Sequence, residues 1–327
     1  MITRRSFTAG LLAGTASSLV SKAMAQDDDI KSAIGRLDQL HSIQVQIGGE
    51  LLFAAAPRGP GLDRVANIKS CSKSIVALLL GTALTRGEIE SVTATLGEIA
   101  PGLVPANATE GVEEITVEDL VSLRAGLERT SGPNYGRWIA SRDWIADQLT
   151  RPFVAEPGGR MLYSTGSFHV LGAVLAEVTG KSLLTLARER LGAPLGIEVP
   201  PWTRDPQGYY LGGNEMALTP RGMLKIAVMI RDGGRFEGEQ VIAQDWIDAS
   251  LQARAVSPFS GMGYGYGWFL TDSGYALARG YGGQVIAAHR ERDLAVAITS
   301  DPTRPARSGG YFGEIMALLD GPVLRMA

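Results

Sequence analysis

Cysteine, histidine and lysine are all scarce in this 327-residue chain: one Cys, three His and six Lys against twenty-five Arg. A single cysteine excludes an intrachain disulfide framework and any zinc cluster built on thiolates. His41, His169 and His289 form neither H-E-x-x-H nor another paired metal-ligand spacing. G-x-S-x-G is missing, and with it a nucleophile elbow. So are G-x-x-x-x-G-K-[ST] and G-x-G-x-x-G, which leaves nucleotide binding without support. Beyond the first 25 residues no run of 18 apolar residues reads as a membrane helix. The net charge of −3 gives no reason to expect nucleic acid or an anionic membrane as partner. Glycine is the opposite case: 41 residues, almost twice the usual share of roughly 7%, predict many tight turns and close backbone approaches.

The N-terminus reads as an address. Thr3-Arg4-Arg5-Ser6-Phe7, a weakly apolar stretch over Thr8–Val20 and Ala23-Met24-Ala25 together fit a twin-arginine export signal spanning residues 1–25. Cleavage before Gln26 would leave a chain of net charge −6, exported by the twin-arginine machinery to the periplasm or beyond, with no membrane contact of its own. Downstream, Asp27–His41 has helical spacing, and Ile43–Ile47, Gly48-Gly49 and Glu50–Ala56 read as a hairpin. Cys71–Arg86 is apolar on most sides, so it predicts a buried helix, with Gly87 as its stop. From Ser91 to Ala249 the patterns are mainly helical, clearest over Thr116–Leu123 and Phe168–Val178. Short strand-like runs follow at Tyr266–Thr271, Tyr275–Arg279, Gln284–His289 and Leu294–Ser300, then a helix over Tyr311–Leu319. Strands at both ends around a helical middle predict an α+β domain over 26–327. Its α/β lobe would comprise 26–90 and 250–327, and its helical lobe 91–249.

At the start of the buried helix, Ser70 and Lys73 form S-x-x-K, one turn apart on one face. A serine there meets free N–H groups and the positive end of the helix dipole. A buried lysine favours its neutral form and can take the hydroxyl proton. No other lysine in the chain has a serine three positions earlier. The same pair also fits a capping serine followed by a snorkelling lysine.

Further motifs follow in order: Glu156-Pro157-Gly158-Gly159, Tyr163-Ser164-Thr165-Gly166, Thr179-Gly180-Lys181, Leu218-Thr219-Pro220-Arg221-Gly222 and Gly263-Tyr264-Gly265-Tyr266-Gly267-Trp268. With these, the chain resembles the serine β-lactamase-like superfamily on its class C side. It is most similar to 6-aminohexanoate-dimer hydrolases and β-lactamase-like carboxylesterases, over about Ile30 to Leu319. The resemblance implies a β-lactamase/DD-peptidase fold, an antiparallel sheet with flanking helices plus a helical lobe. It implies no metal or other cofactor.

Tyr163 stands in the place of that family's Y-x-N tyrosine, which implies a proton relay with Lys73, the lysine ammonium lowering the phenol's pKa. Thr165 replaces the usual Asn, so a substrate contact there departs from the pattern. The K-T-G motif has no literal counterpart. By position it falls on Tyr281-Gly282-Gly283-Gln284, implying that the backbone N–H groups of Ser70 and Gln284 form the oxyanion hole and that substrate lies against Gly283. A plain hairpin turn also explains these two glycines. The missing motif lysine favours small esters or linear amides over β-lactams, with Arg279 as a candidate replacement cation. A β-lactamase, a peptidase acting on D-amino acids of cell-wall peptides, and a non-catalytic peptide-binding protein are the alternatives. Cys71 reads as a packed thiol, His169 as a structural histidine, and Tyr135, Trp138 and Trp144 either as a flap or as packing.

Overall fold

The computed structural model describes residues 28–327; the expected export signal lies outside the described residues. Twelve strands are present among them: β1 (Leu40–Ile47), β2 (Glu50–Ala55), β3 (Ala66–Asn67), β4 (Ala217–Leu218), β5 (Arg235–Phe236), β6 (Glu239–Gln240), β7 (Ala255–Val256), β8 (Gly263–Tyr264), β9 (Phe269–Leu270), β10 (Ala276–Gly280), β11 (Gln284–His289) and β12 (Leu294–Ser300). Eight of them form one antiparallel sheet in the order β2-β1-β12-β11-β10-β9-β8-β7, so both ends of the chain share it.

The hairpin over β1 and β2 forms as its alternation predicts. Ile43 and Val45 face the core and sit opposite Ile298 and Val296 of β12. Every residue of β11 and β12 is buried, which requires cover on both faces of the sheet. The helix Pro220–Arg231 packs on β1, β11 and β12, although its sequence position falls within the expected helical lobe. Helical spacing over 27–41 resolves into a helix over 28–36, with β1 already under way at Leu40. The strand expected over Tyr266–Thr271 shrinks to β9. Tyr266 instead stacks on Trp246 and donates its hydroxyl to Glu118 at 2.7 Å.

The helix Cys71–Thr85 is buried from Cys71 through Ala83 and packs against both the Thr165–Thr179 helix and β10. It therefore lies between sheet and helical region. Gly81 allows this: a Cβ there would come within 2.1 Å of the Trp246 ring, whose N–H donates to the Ala77 carbonyl. The Thr165–Thr179 helix ends at Gly180 in the left-handed region. Two short strands, β3 and β4, pair across the mouth of the central helix and fix what surrounds Ser70.

Candidate active site

Ser70 caps the central helix, immediately after Lys69, whose φ of +51° is unusual for a residue with a side chain. That conformation is held from several sides. The Lys69 N–H donates to Asn67 Oδ1, and Lys69 Nζ pairs with Glu215 Oε1 at 2.9 Å. Asn67 Nδ2 donates to the other Glu215 oxygen, and Ser72 Oγ accepts from the Met216 N–H. The β3–β4 pairing thus carries the segment around Glu215 to the nucleophile's flank.

Lys73 lies one turn into the helix, 1% exposed. Its Nζ is 3.2 Å from Ser70 Oγ, 3.3 Å from Thr165 Oγ1 and 2.7 Å from the Gly213 carbonyl. Desolvation draws its pKa down to about 7. A neutral amine has two N–H donors and one lone pair. The Gly213 carbonyl, which can only accept, takes one donor and Thr165 the other, so the lone pair is left for the Ser70 hydroxyl. Thr165 is itself fixed by Ser131, whose Oγ lies 2.9 Å from Thr165 Oγ1 and accepts from the Thr165 N–H.

The Tyr163 ring lies under Lys73, Nζ 4.8 Å from its centroid, and stacks on Phe269. Burial pushes the phenol up to about 12, while interaction with the Ser70 side chain and the positive charge of Arg279 pull weakly the other way. The expected lowering of this pKa by a lysine ammonium is thereby reversed. Desolvation dominates, and the lysine meets the ring face while its own ammonium form is disfavoured.

Above these groups opens a cavity of about 540 Å³ lined by Ser70, Tyr163, Thr165, Asn214, Arg279 and Tyr281, among others. Among the described residues, the N–H groups of Ser70 and Tyr281 have no intramolecular acceptor. Arg279 is anchored to Ser308 Oγ and the Ala306 carbonyl and lies over the Phe312 ring; desolvation lowers it to about 10. No three His, Cys, Asp or Glu of the described residues gather into a metal site.

A family model for beta-lactamase matches residues 42–313 of this chain. The chain belongs to the beta-lactamase family. Solved structures agree in fold: a provisionally named 6-aminohexanoate-dimer hydrolase from Bacillus anthracis is 16% identical, with a TM-score of 0.74 over 88% of this chain and 79% of that one. The hydrolase EstCE1, described as having promiscuous acyltransferase activity, is 19% identical, with a TM-score of 0.75 over 93% and 100%. A D-stereospecific amidohydrolase from Streptomyces is 17% identical, with a TM-score of 0.68 over 90% and 98%.

Of the residues expected at a beta-lactamase-family site, Ser70, Lys73, Tyr163 and Thr165 come together. Gln284 and Gly283 do not. Gln284 is fully buried, pairs with Gly280 in the β10–β11 ladder, and turns its amide to the backbone of Ser300. Gly283 sits at φ +95° in the turn, where a Cβ would strike Tyr311 and Ile315, so it packs inward. The hairpin reading of the glycine pair holds, and it is Arg279, Gly280 and Tyr281 that reach the cavity.

Cys71 is wholly buried, its thiol raised by burial, and donates to the Gln284 carbonyl. His169 is buried against Asp205, with Nε2 2.9 Å from Oδ2, while its Nδ1 accepts from the Gly212 N–H. Trp138 and Trp144 pack edge-on around that imidazole, and Tyr135 alone of the three aromatics lines the cavity. Sequence reasoning missed Glu215, Asn214, Arg129 and Phe259. None of them left a local signal that carries chemistry: the Gly212-Gly213 pair beside Asn214 and Glu215 says nothing by itself, and Arg129 and Phe259 stand in other segments.

Proposed function

We propose that this chain is a serine hydrolase that cleaves small esters or amides through an acyl-enzyme on Ser70. The observation that carries this is a lysine amine, buried and tuned to about 7, hydrogen-bonded to a helix-capping serine beneath an open cavity. Neutral Lys73 accepts the Ser70 proton as Oγ attacks the carbonyl. Tyr163, protonated at neutral pH, gives a proton to the leaving group, and Lys73 restores it. The N–H groups of Ser70 and Tyr281 receive the developing oxyanion, Tyr281 taking the part first expected of Gln284. Water then enters by the same relay and releases the acid.

Purified protein should release p-nitrophenol from short esters with a burst equal to the enzyme present. Ser70→Ala should abolish it, and a fluorophosphonate should label Ser70. Absence of both turnover and label would assign the fold to ligand binding without catalysis, and turnover that survives Ser70→Ala would overturn the acyl-enzyme on Ser70. A second reading, hydrolysis of peptides bearing D-amino acids, draws support from the fold shared with a D-stereospecific amidohydrolase. Comparing nitrocefin, a D-alanyl peptide, 6-aminohexanoate dimer and p-nitrophenyl esters ranks these substrates. Export through the twin-arginine route is part of the proposal and rests on Arg4, Arg5 and the Ala23-Met24-Ala25 site. Among the described residues no single helix is long and apolar enough to cross a membrane. An Arg4→Lys, Arg5→Lys variant should accumulate in the cytoplasm with its leader uncleaved.

A further inference from the structure

The cavity holds more positive charge than the acyl-transfer chemistry uses. Glu215 is the only carboxylate among its lining residues, and it is committed to Lys69 and Asn67. Two arginines on the lining have no acidic partner among the described residues. Arg279 is tethered to Ser308 and Ala306 beside Tyr163.

Arg129 is different. It is half-buried, and its guanidinium lies over the Phe259 ring, 5.1 Å from the centroid. Its side-chain N–H groups make no hydrogen bond or ion pair among the described residues. Stacking on a ring face holds a guanidinium in place while leaving its in-plane donors available. Those donors match a carboxylate fork. Phe259 itself is 56% exposed at the cavity, an apolar surface beside the cation. Arg129 lies two residues before Ser131, which holds Thr165 against Lys73, so this cation belongs to the wall of the same site. The molecule as a whole is acidic, with a net charge of −3. A net-positive cavity in such a surface concentrates anions.

Resting on the acyl-enzyme reading above, we propose that the scissile ester or amide carries a carboxylate, which Arg129 receives in a bidentate pair while the adjoining apolar segment lies against Phe259. The acid sits either on the acyl part or on the leaving group; the recognition chemistry is the same for both.

Three esters test this: p-nitrophenyl hexanoate, mono-p-nitrophenyl adipate with the acid on the acyl chain, and 3-carboxy-4-nitrophenyl hexanoate with it on the leaving group. The quantity read is the ratio of kcat/KM for each acidic ester to that for the neutral one, so any general loss cancels. One acidic ester should exceed the neutral ester by on the order of tenfold, the scale of one charge-assisted pair. Added salt should reduce that ratio. Arg129→Gln should bring it close to one, and Arg129→Lys should keep part of it, with melting curves confirming that both fold. No preference for either acid, or a preference that survives Arg129→Gln, overturns the proposal. Failure of the underlying reading looks different: Ser70→Ala would then cleave all three esters as fast as the parent.

Discussion

Lys73 is the residue on which the proposed chemistry turns, and its environment sets a direction with pH. Burial lowers its pKa from 10.5 to about 7, so the amine is free above that value and the ammonium dominates below. Acylation should therefore rise through an apparent pKa near 7, read as the rising limb of kcat/KM for a p-nitrophenyl ester; a profile flat from pH 5 to 9 would exclude Lys73 as the base. Stability carries the same sign. Below about 7 both folded and unfolded chains hold the proton, and the folded state bears the full cost of a buried ammonium. That cost is relieved as pH rises from 7 toward 10.5, where only the unfolded chain still binds the proton. Chemical denaturation of parent and Lys73→Met should thus show the parent gaining stability relative to the variant across that interval. Tyr163→Phe removes the proton donor while keeping the ring under Lys73, and kcat should fall by about a hundredfold or more. Ser70 and Lys73 were legible in the sequence because a three-residue spacing on a helix needs no partner to interpret. Gln284 was misplaced because a hairpin's register depends on the strand opposite: the turn occupies residues 281–283, so the expected residue falls inside the ladder. Glu215 and Arg129 left no trace, since they meet Ser70 only through tertiary closure.

Among the elements, the segment from Gly212 to Glu215 is held in place most indirectly. It contributes the carbonyl that orients Lys73 and the carboxylate that pins Lys69, yet it belongs to no helix or strand. Glu215 and Lys69 both sit at positive φ, +68° and +51°, so each end of their ion pair is a locally unfavourable conformation that the pairing maintains. Beneath them His169 and Asp205 form a buried pair, and the Gly212 N–H donates to the imidazole. Replacing His169 by Leu strands a buried carboxylate and should cost about 3–5 kcal/mol in denaturant unfolding, whereas His169→Leu with Asp205→Leu should recover much of it. With Asp205→Leu measured alone as well, a double-variant loss equal to the sum of the two single losses would show that the pair is not coupled. The helices over Cys71–Thr85, Thr165–Thr179 and Tyr311–Leu318 were readable from their spacing. The short strands β7 and β8 were not, because two residues carry no period.

At the scale of the whole molecule, the sheet ties the ends of the chain together. Ile43 of β1 lies opposite Ile298 of β12, and Asp29 pairs with Arg325. The site is assembled between this sheet and the helical region, with Ser70 and Tyr163 at the starts of two helices that pack on each other and Tyr281 just beyond a strand. No part of the sheet can therefore open without losing its neighbours. Native-state hydrogen exchange should give the slowest amides of β1, β11 and β12 one common opening free energy; a gap above about 2 kcal/mol between β1 and β12 would show a separable N-terminal unit. The strand patterns at both ends foreshadowed this shared sheet, because alternation survives wherever a strand is read; which end pairs with which could come only from the folded chain.

That pairing also sets a clock. Some 255 positions separate Ile43 from its partner, and a ribosome adding roughly 5–20 residues per second needs on the order of ten to fifty seconds to bridge them. Throughout that time the segment of β1 and β2 has no strand to dock on, and the face bearing Ile43 and Val45 stays open to other chains. Whatever shields nascent chains from one another in the cell has its longest task here at the very beginning of the sequence, not at its end.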